Sequence, residues 1–441
     1  MSPLPEPPAL DVAVIGAGLS GLACAVKLHE AGCRVEVFEA ADGIGGRVRT
    51  DRVEGFLLDR GFQVYLDAYP EAGALLDLEA LDLRPFTPGA LIWKAGKLRS
   101  LRDVFRNPSA LFSSALAPVG NLRDKCLVAK LRFSLLRKPL DHIWAAPETS
   151  TLDYLRAFGF SEQFIDDFFR SFYGGIFLED QLMTSSRLFE FTFKMFSAGS
   201  ATLPQNGMQA IPEQLAARLP DAAIHLNSPV TSVTGDHLTL AKRSEAEGGN
   251  DDRIENEAGT RHRATAIVLA TDASTTARLL GYDRQPKWNH TSCLYFAADE
   301  TPLAEPIIAL RGDRDGLIHN LCVPSQVAPG YAPEGQSLIS ISVINDHATD
   351  ATLTETVERE LINWFGEAAK TWTHLRTEHL PQALPVAPPG HAIGNRREKG
   401  LWICGDHTRS GSIEGAIQSG VETAAEILGE IDGGDKIASD T

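Results

Sequence analysis

The stretch that decides the fold is DVAVIGAGLSGLACAVKLHEAGCRVEVFEA, residues 11–40. An apolar run at 12–15 enters a glycine-rich turn, and residues 22–30 have the pattern of a helix. Gly32 ends that helix, and a second apolar run, Val35–Phe38, follows it. This order predicts a strand, a helix and a second strand that open a parallel α/β sheet.

The turn itself has the spacing of a dinucleotide-binding motif. Gly16 permits the tight turn, Gly18 lets the backbone approach a pyrophosphate, and Gly21 allows the helix to pack closely on the strand. The helix N-terminus offers free N–H groups and the positive end of its dipole. Glu39 ends the second strand, where its carboxylate can accept hydrogen bonds from ribose hydroxyls. The motif therefore predicts nucleotide binding; glycines in an ordinary turn would leave Glu39 unexplained.

A second glycine loop, Ile44-Gly45-Gly46-Arg47, follows the second strand. Adjacent glycines let the backbone lie against a ligand, and Arg47 can neutralise a pyrophosphate or hydrogen-bond to the cofactor. Nicotinamide enzymes rarely need such a loop, so the pattern favours FAD.

These residues resemble a known family. DVAVIGAGLSGLACAVKL, GIGGRVRT and GFLLDRGFQVY are similar to the N-terminal signature of the FAD-dependent amine oxidase superfamily, which includes monoamine oxidases, protoporphyrinogen oxidases and carotenoid desaturases. LWICGDHTRSGSIEGAIQSGVETAAEIL, starting at Leu401, resembles its second FAD segment. Residues 204–208 resemble a loop beneath the flavin, and 228–230 resemble a strand beside the adenine.

The motifs and the resemblance together give the expected FAD contacts. The resemblance places Asp406 at the ribityl or pyrophosphate region and the helix start at 413–416 at the pyrimidine ring of the flavin. The predicted FAD-binding residues are Gly16, Gly18, Leu19, Ser20, Gly21, Glu39, Ala40, Gly45, Gly46, Arg47, Gly61, Phe62, Val230, Gly405, Asp406, Ser412, Ile413 and Ala416.

The order of strand-like and helix-like segments predicts an α/β fold in which a discontinuous Rossmann-type FAD-binding domain carries an inserted α+β substrate domain with a mixed sheet and helices. The expected divisions are a disordered lead at 1–10, the FAD-binding domain at 11–70, 201–284 and 386–435, a helical part of the substrate domain at 71–200, its sheet part at 285–385, and a tail at 436–441. The very polar segment 242–263 is expected to be a solvated hairpin or loop.

Bulk composition excludes several classes of protein. A net charge of −17 argues against nucleic-acid binding, which needs clustered basic residues. Six scattered cysteines without metal-ligand spacing indicate a reduced compartment and no metal. The opening MSPLPEPPAL lacks the features of a targeting signal, and no apolar run is long enough to span a bilayer. We therefore expect a cytoplasmic protein whose only membrane contact would be peripheral.

Details of the motifs separate the branches of the family. Amine oxidases carry a lysine in a substrate-domain strand and a tyrosine before the C-terminal Gly-Ala pair, but 291–296 has no lysine and 410–415 no tyrosine. The run 412–420 and Ala383-Leu384-Pro385 look closer to plant and cyanobacterial phytoene and zeta-carotene desaturases. This favours dehydrogenation of an apolar isoprenoid or carotenoid-like substrate by hydride transfer to flavin N5. Protoporphyrinogen-type or amine oxidation, redox-neutral polyene isomerisation and non-catalytic flavin binding stay open.

The sequence contains one G-x-G-x-x-G, so no site for a second dinucleotide is expected and dioxygen or a quinone would accept the electrons. No catalytic residue is assigned. Arg60 is expected to bind a phosphate or substrate head group, or to form an Arg–Asp pair. The aromatic residues of 173–177, with Phe189, Phe191, Phe193 and Phe196, suit a core better than a substrate channel. His319 and His407 are expected to be structural.

Residues 94–138 hold eleven basic and two acidic side chains, interleaved with large apolar residues. Such a pattern predicts an interfacial helix pair that rests on an anionic membrane surface and forms the mouth of the substrate channel. The alternative is a helical subdomain packed on the core with a solvated basic face.

Overall fold

The computed structural model describes residues 10–102, 120–241, 258–313, 315–344, 352–391 and 394–439. Its strands, in chain order, are β1 (Leu10–Ile15), β2 (Val35–Phe38), β3 (Thr50–Val53), β4 (Phe56–Asp59), β5 (Tyr65–Leu66), β6 (Leu83–Pro85), β7 (Gly89–Lys94), β8 (Lys97–Arg102), β9 (Ala201–Pro204), β10 (Ile224–His225), β11 (Val230–Thr234), β12 (His237–Ala241), β13 (Ala258–Leu269), β14 (Trp288–Ala298), β15 (Ile308–Arg311), β16 (Asn320–Cys322), β17 (Ser337–Ile344), β18 (Thr373–Pro385), β19 (Arg396–Glu398) and β20 (Leu401–Ile403).

The helices are α1 (Leu19–Glu30), α2 (Pro70–Leu75), α3 (Leu122–Arg137), α4 (Leu140–Trp144), α5 (Thr151–Phe158), α6 (Glu162–Phe164), α7 (Arg170–Phe177), α8 (Ser186–Ala198), α9 (Ala210–Ala216), α10 (Ala273–Leu280), α11 (Pro324–Val327), α12 (Leu353–Phe365) and α13 (Ile413–Ser439). A π-helical turn, Ile165–Phe169, joins α6 to α7.

The first sheet has a parallel core. Strand β1 lies between β2 and β13, β10 extends the β2 side, and β20 pairs with the end of β13, all in parallel. The remaining strands β11, β12 and β19 join antiparallel. These strands come from all three segments assigned to the FAD-binding domain. The predicted mixed α/β fold is confirmed, because parallel and antiparallel sheets combine with helices in one chain.

Helices from the two ends of the chain pack against each other on this sheet. The Ser20 hydroxyl of α1 donates to the Ala416 carbonyl of α13 at 2.8 Å. One turn further along α13, a Cβ on Gly420 would lie 2.1 Å from the Ser20 carbonyl oxygen. Only a glycine therefore permits this helix crossing, which joins residues almost 400 positions apart.

A second, seven-stranded sheet has the order β18-β14-β17-β16-β15-β7-β8. It is antiparallel except where β15 pairs with β7. Helix α12 packs on one face of this sheet with an apolar side on which Leu353, Val357 and Leu361 are buried. Gly366, with φ of +69°, follows the last residue of the helix.

The structure corrects the prediction that the basic residues from Lys94 onward form a helix pair. Residues 89–102 form the hairpin β7–β8 instead, placing Lys94 and Lys97 at its turn. Strand β8 lies at the edge of the seven-stranded sheet, where charged side chains are common. The later basic residues of this segment do lie on a helix, α3. Residues 103–119 lie outside the described residues.

Three other boundaries also differ. Helix α13 continues to Ser439, so the tail expected from 436 is helical as far as the description extends. Of the segment expected to be a solvated hairpin or loop, 258–263 belong to β13, which pairs antiparallel with β12, and 242–257 lie outside the described residues. The expected disordered lead lies outside them too, except for residue 10, which starts β1. The division into domains stays a prediction.

Candidate functional site

A cavity of about 1340 Å³ lies between the parallel core of the first sheet and the helices of the 120–200 region. Pockets for a single drug-sized ligand are roughly 300–1,000 Å³, so this one has room for two molecules. One half is lined by the glycine loops and the strand ends that follow them. The other half is lined mainly by aromatic and aliphatic side chains.

The first glycine loop has the geometry that its motif predicts. Gly16 has φ of +107°, and a Cβ on it would lie 2.8 Å from the Ala270 carbonyl oxygen. A Cβ on Gly21 would lie 2.0 Å from the Gly16 carbonyl oxygen, so this glycine permits the close helix packing. Gly18 faces open space, with nothing within 4 Å of its Cβ position. That space, at the N-terminus of α1, is where a pyrophosphate fits.

Glu39 is held in place at the end of β2. Its two carboxylate oxygens accept hydrogen bonds from the backbone N–H groups of Ala17, at 2.7 Å, and Ala41, at 2.8 Å. Its side chain lines the cavity beside the glycine loop. A carboxylate oriented by two donors retains lone pairs for ribose hydroxyls, which is the role expected of it.

The second glycine loop lies directly against the first. The Gly45 N–H donates to the Ala17 carbonyl at 2.8 Å, and Gly45 forms a β-bridge with Gly18. Gly45 and Gly46 have φ of +106° and +60°, a conformation that favours glycine. Two backbone loops thus form one continuous wall for the cofactor.

Arg47 extends from this loop to three partners. Its guanidinium lies 2.6 Å from the Asp406 carboxylate, donates to the Ala383 carbonyl at 3.1 Å and lies over the Trp288 ring. Asp406 is buried, and burial alone would raise its pKa, but the charge of Arg47 and its hydrogen bond hold the pKa below the ordinary value. The pair is therefore ionised at neutral pH, and Arg47 still faces the cavity.

Seventeen of the eighteen predicted FAD-binding residues line this one cavity; Gly21 instead packs behind the glycine loop. The sequence argument missed Thr271, Asp272, Ser410 and Gly411, which line the same half. Thr271 and Asp272 follow β13, the third parallel strand of the sheet. Their position at its carboxyl end could have identified them from the sequence, because ligands bind at the carboxyl ends of parallel strands.

The donor set fits FAD rather than a mononucleotide, because a helix N-terminus, a ribose-oriented carboxylate and a distant ionic pair are spread along one cavity wall. Gly16, Gly18 and Gly46 would hold the pyrophosphate, Glu39 the ribose, and Asp406 with Arg47 the far end of the cofactor. Bound there, FAD would supply the acceptor for a hydride.

The other half of the cavity is apolar. Rings project into it from the π-helical turn, α7 and α8, and Leu188, Ile308 and Leu310 complete the wall. The expectation of a core position holds for Phe189, which is buried inside the aromatic cluster. It also holds for Tyr173, Phe177 and Phe191, which are buried in the core and border the cavity as well. Phe193 and Phe196 are only partly buried and line the cavity. The aromatic residues that line this half are Phe164, Phe168, Phe172, Tyr173, Phe177, Phe191, Phe193 and Phe196.

The remaining candidates have structural partners. Arg60 forms a bidentate pair with Asp51, at 3.0 and 3.1 Å, which is the Arg–Asp alternative, although it also borders the cavity. Burial lowers the pKa of His319 to about 4, and its neutral ring bonds to the Ser171 carbonyl at 2.9 Å. Burial also lowers the pKa of His407, which packs against Gly405 outside the cavity wall.

One buried carboxylate was not anticipated. Asp59 accepts hydrogen bonds from the Thr50 hydroxyl at 2.5 Å, the Met208 N–H at 3.1 Å and the Tyr331 hydroxyl at 2.7 Å. Burial raises its pKa to about 6, because none of these partners carries a positive charge. Asp59 lies behind the cavity wall formed by 60–64 and ties it to the 204–208 loop.

Glu414, within the desaturase-like run, also has a structural role. Its carboxylate accepts the N–H groups of Glu71, at 3.0 Å, and Ala72, at 2.9 Å, at the start of α2. It thus caps a short helix instead of facing the cavity.

Within the described ranges, no cluster of His, Cys, Asp or Glu side chains could hold a metal ion. No helix in the same ranges is long and apolar enough to cross a membrane.

The fold and this site define a flavin-binding oxidoreductase architecture. The model of the family described as flavin containing amine oxidoreductase matches residues 19–428, so the chain belongs to that family, whose cofactor is FAD. The structure is also similar to that of an oxidoreductase from Methanosarcina mazei, with a TM-score of 0.70 and 20% identity over 94% of this chain and 99% of the other.

Relatives in the family differ in their reactions. The chain is 32% identical to protoporphyrinogen oxidase 2 of Arabidopsis thaliana over 37% of its length, and 28% identical to putrescine oxidase of Kocuria rosea over 53%. It is 41% identical to a lycopene-forming phytoene desaturase of Pantoea ananas over 19%. The matched segments span 29%, 51% and 18% of these relatives, so they do not single out one branch.

Proposed function

We propose that this protein uses FAD to dehydrogenate an apolar isoprenoid or polyene. The observation that carries the proposal is one continuous cavity. Its half beside the glycine loops, which would hold FAD and is called the FAD half, continues into an apolar half walled by aromatic rings. A substrate in the apolar half would lie next to the half that would hold FAD, with those aromatic rings around it.

The cavity wall argues against an amine substrate. Strand β14, which corresponds to the lysine-bearing strand of amine oxidases, contributes Thr291 to the wall. Among the described wall residues the one lysine is Lys125, which lies on α3 instead of that sheet. The tyrosine that amine oxidases carry before the C-terminal Gly-Ala pair is also missing, because residues 410–415 contain none.

The wall also supports a particular order of bond breaking. Among the described wall residues, the carboxylates are Glu39, Asp272 and Asp406, and all three line the FAD half. No carboxylate or histidine of the described wall borders the apolar half. Burial raises the pKa of Tyr173 well above its ordinary value, so its hydroxyl is not a base at neutral pH. We therefore infer that a C–H bond of the substrate would break first, its electron pair leaving as hydride for the FAD that the other half would hold. A proton from the neighbouring carbon would then pass to water, leaving a C=C bond.

A second turnover would need an acceptor for the electrons that are taken from the substrate. Dioxygen or a quinone would accept the two electrons, because the described residues form one dinucleotide cradle and leave no second one for a nicotinamide.

The test is anaerobic reduction of the purified, FAD-loaded protein by a detergent-dispersed C40 polyene such as phytoene, followed by the visible absorbance of the flavin. We expect bleaching together with a product that has lost two hydrogens, identified by mass spectrometry. Phe172→Asp should abolish bleaching by placing a charge in the apolar half, while Phe172→Leu should preserve it. Both variants should retain FAD. An unbleached flavin together with an isomerised product would instead show redox-neutral catalysis. If the flavin stays unbleached and no product forms, the result would favour a flavin-binding protein without catalytic activity.

A carboxylated tetrapyrrole is the second candidate, favoured by the basic side chains of Lys125 and Arg132 on the cavity wall. Arg132 is anchored by a 2.8 Å hydrogen bond to the Ser197 carbonyl. If a tetrapyrrole is the substrate, Arg132→Gln should raise KM with little change in kcat, because a partner for a substrate carboxylate is lost. An uncharged polyene would show no such increase.

A further inference from the structure

Helix α3 carries an apolar stripe that faces solvent. Leu122, Phe133 and Leu136 are 70%, 52% and 36% exposed, and the exposed Cys126 lies between them. Their separations of four, seven and three residues place them on one side of the helix. The opposite side, which includes Leu131 and Leu135, is buried in the aromatic cluster. The stripe is therefore not part of the core that holds the helix in place.

Basic residues border this stripe on both sides. Arg123, Lys130 and Arg137 follow one another at intervals of seven residues along one border, and all three are exposed. Lys125 and Arg132, also seven apart, follow the other border. In a chain with a net charge of −17, this surface is a local exception.

The single acidic residue of the helix is turned away from that surface. Asp124 is buried, and its carboxylate accepts hydrogen bonds from the Ser161 N–H and hydroxyl, at 2.9 and 2.7 Å, and from the Asn121 N–H, at 3.1 Å. Burial alone would raise the pKa of Asp124, but these hydrogen bonds hold it below the ordinary value. The negative charge is thus used inside the fold and does not offset the basic borders.

The stripe also reaches the substrate cavity. Leu122 and Cys126 are exposed to solvent and line the cavity as well, next to Lys125 and Ala129. Helix α3 therefore forms part of the cavity mouth, and a surface that covers the stripe would cover the mouth.

We propose that α3 docks on an anionic lipid bilayer and admits the substrate from the lipid into the cavity. The stripe would enter the boundary between headgroups and acyl chains, while the basic borders would contact anionic headgroups. The docking can be measured without turnover and is therefore tested independently of the proposed reaction, whereas the entry of substrate from the lipid rests on the proposed function.

The first experiment is flotation of the FAD-loaded protein with vesicles of phosphatidylcholine alone or with added phosphatidylglycerol. We expect binding that needs the anionic lipid and falls as salt is added. Because each basic residue strengthens such binding roughly fivefold, R123E/K130E/R137E should weaken it by at least about a hundredfold. R84E/R263E/K370E, a charge-matched control at exposed sites away from α3, should bind almost normally.

The apolar stripe is tested separately. L122Q/F133Q/L136Q should bind weakly even at low salt, whereas M183Q/L226Q/Y282Q, which changes exposed apolar residues elsewhere, should not. Retained FAD and the circular dichroism spectrum check the folding of each variant.

A probe on Cys126 reports insertion without altering the stripe by mutation. An environment-sensitive fluorophore attached there, in a Cys33→Ser background, should shift to shorter wavelength on anionic vesicles. The proposal would be overturned if the protein does not float with anionic vesicles at low salt. It would also be overturned if neither the charge variant nor the stripe variant changes flotation or fluorescence. A dimer in solution that these variants dissociate would show that a second copy of the chain covers the stripe instead.

Discussion

The guanidinium of Arg47 and the carboxylate of Asp406 lie 2.6 Å apart, although 359 residues separate them in the chain. Arg47 belongs to the second glycine loop, and Asp406 follows the end of β20. The pair fastens the C-terminal segment to the N-terminal loop on the wall of the FAD half. Each residue keeps the other charged, because either charge alone would be costly to bury there.

We predict that Asp406→Asn and Arg47→Met each raise the Kd for FAD about tenfold or more, because each leaves the other charge without its partner. The double variant should be little worse than either single one, since both remove the same interaction. Fluorescence titration of the apoprotein with FAD measures the effect. Asp42→Asn breaks the exposed Arg49–Asp42 pair and serves as control, with FAD affinity expected to be unchanged. Native affinity in Asp406→Asn would contradict the assigned role.

Glu39→Gln should weaken FAD binding by roughly 1–3 kcal/mol, because a charged acceptor for the ribose hydroxyls is lost while the side-chain shape is kept. FMN, which has no adenosine, should bind the variant and the native protein equally. Calorimetric titration with both flavins makes the comparison. Glu36→Gln, on the same strand but beside His225, should leave both affinities unchanged. An equal loss of FMN affinity would show that Glu39 supports the fold instead.

Asp59 should make stability depend on pH. Its pKa is raised to about 6 in the folded protein from 3.8, so the folded state holds the proton more tightly than the unfolded state. Its stabilising contribution is complete below about pH 4 and is lost as the pH rises through about 6, a change on the order of 3 kcal/mol.

The measurement is the free energy of unfolding in urea from pH 4 to 8, compared between the native protein and Asp59→Asn. As the pH rises, the free energy of unfolding of the native protein should fall relative to that of the variant. A pH-independent difference would mean that Asp59 ionises normally.

Gly420→Ala should destabilise the protein and weaken FAD retention, because the new methyl group would lie 2.1 Å from the Ser20 carbonyl oxygen in the α1–α13 crossing. Gly429→Ala is the matched control on the same helix, since nothing lies within 4 Å of its Cβ position. The control should raise stability by up to about 1 kcal/mol through helix propensity. Thermal unfolding with FAD fluorescence distinguishes them, and equal melting temperatures would refute the close approach.

Simple amines should not reduce the flavin. Benzylamine and putrescine should leave its visible absorbance unchanged under anaerobic conditions, because β14 presents Thr291, not a lysine, to the cavity. Rapid bleaching by either amine would reverse the preference for an apolar substrate.

The FAD half could be predicted because its determinants are local. Gly16, Gly18 and Gly45 owe their positions to turn geometry, and Glu39 to the end of its own strand, so spacing along the chain reveals them. The C-terminal segment was identified through its resemblance to the second FAD segment of the family, and it too is a contiguous stretch that follows one strand and starts one helix.

What only the tertiary structure decided depends on contacts between distant segments. Hairpin β7–β8 joins the second sheet by pairing β7 with β15, more than 200 residues later, and no local pattern specifies such a partner. Likewise, Phe189 is buried while Phe193, one turn later on the same side of α8, lines the cavity, because the burial of each turn depends on which remote segments pack against it.

The sequence by itself indicated that the chain binds a dinucleotide and which loops are expected to do so, because glycine conformation and helix dipoles act over a few residues. The tertiary structure decided that Arg47 meets Asp406, that Asp59 is buried without a cation, and that the apolar stripe of α3 opens on the cavity. Those outcomes depend on burial and charge pairing, which arise only when remote segments exclude water together.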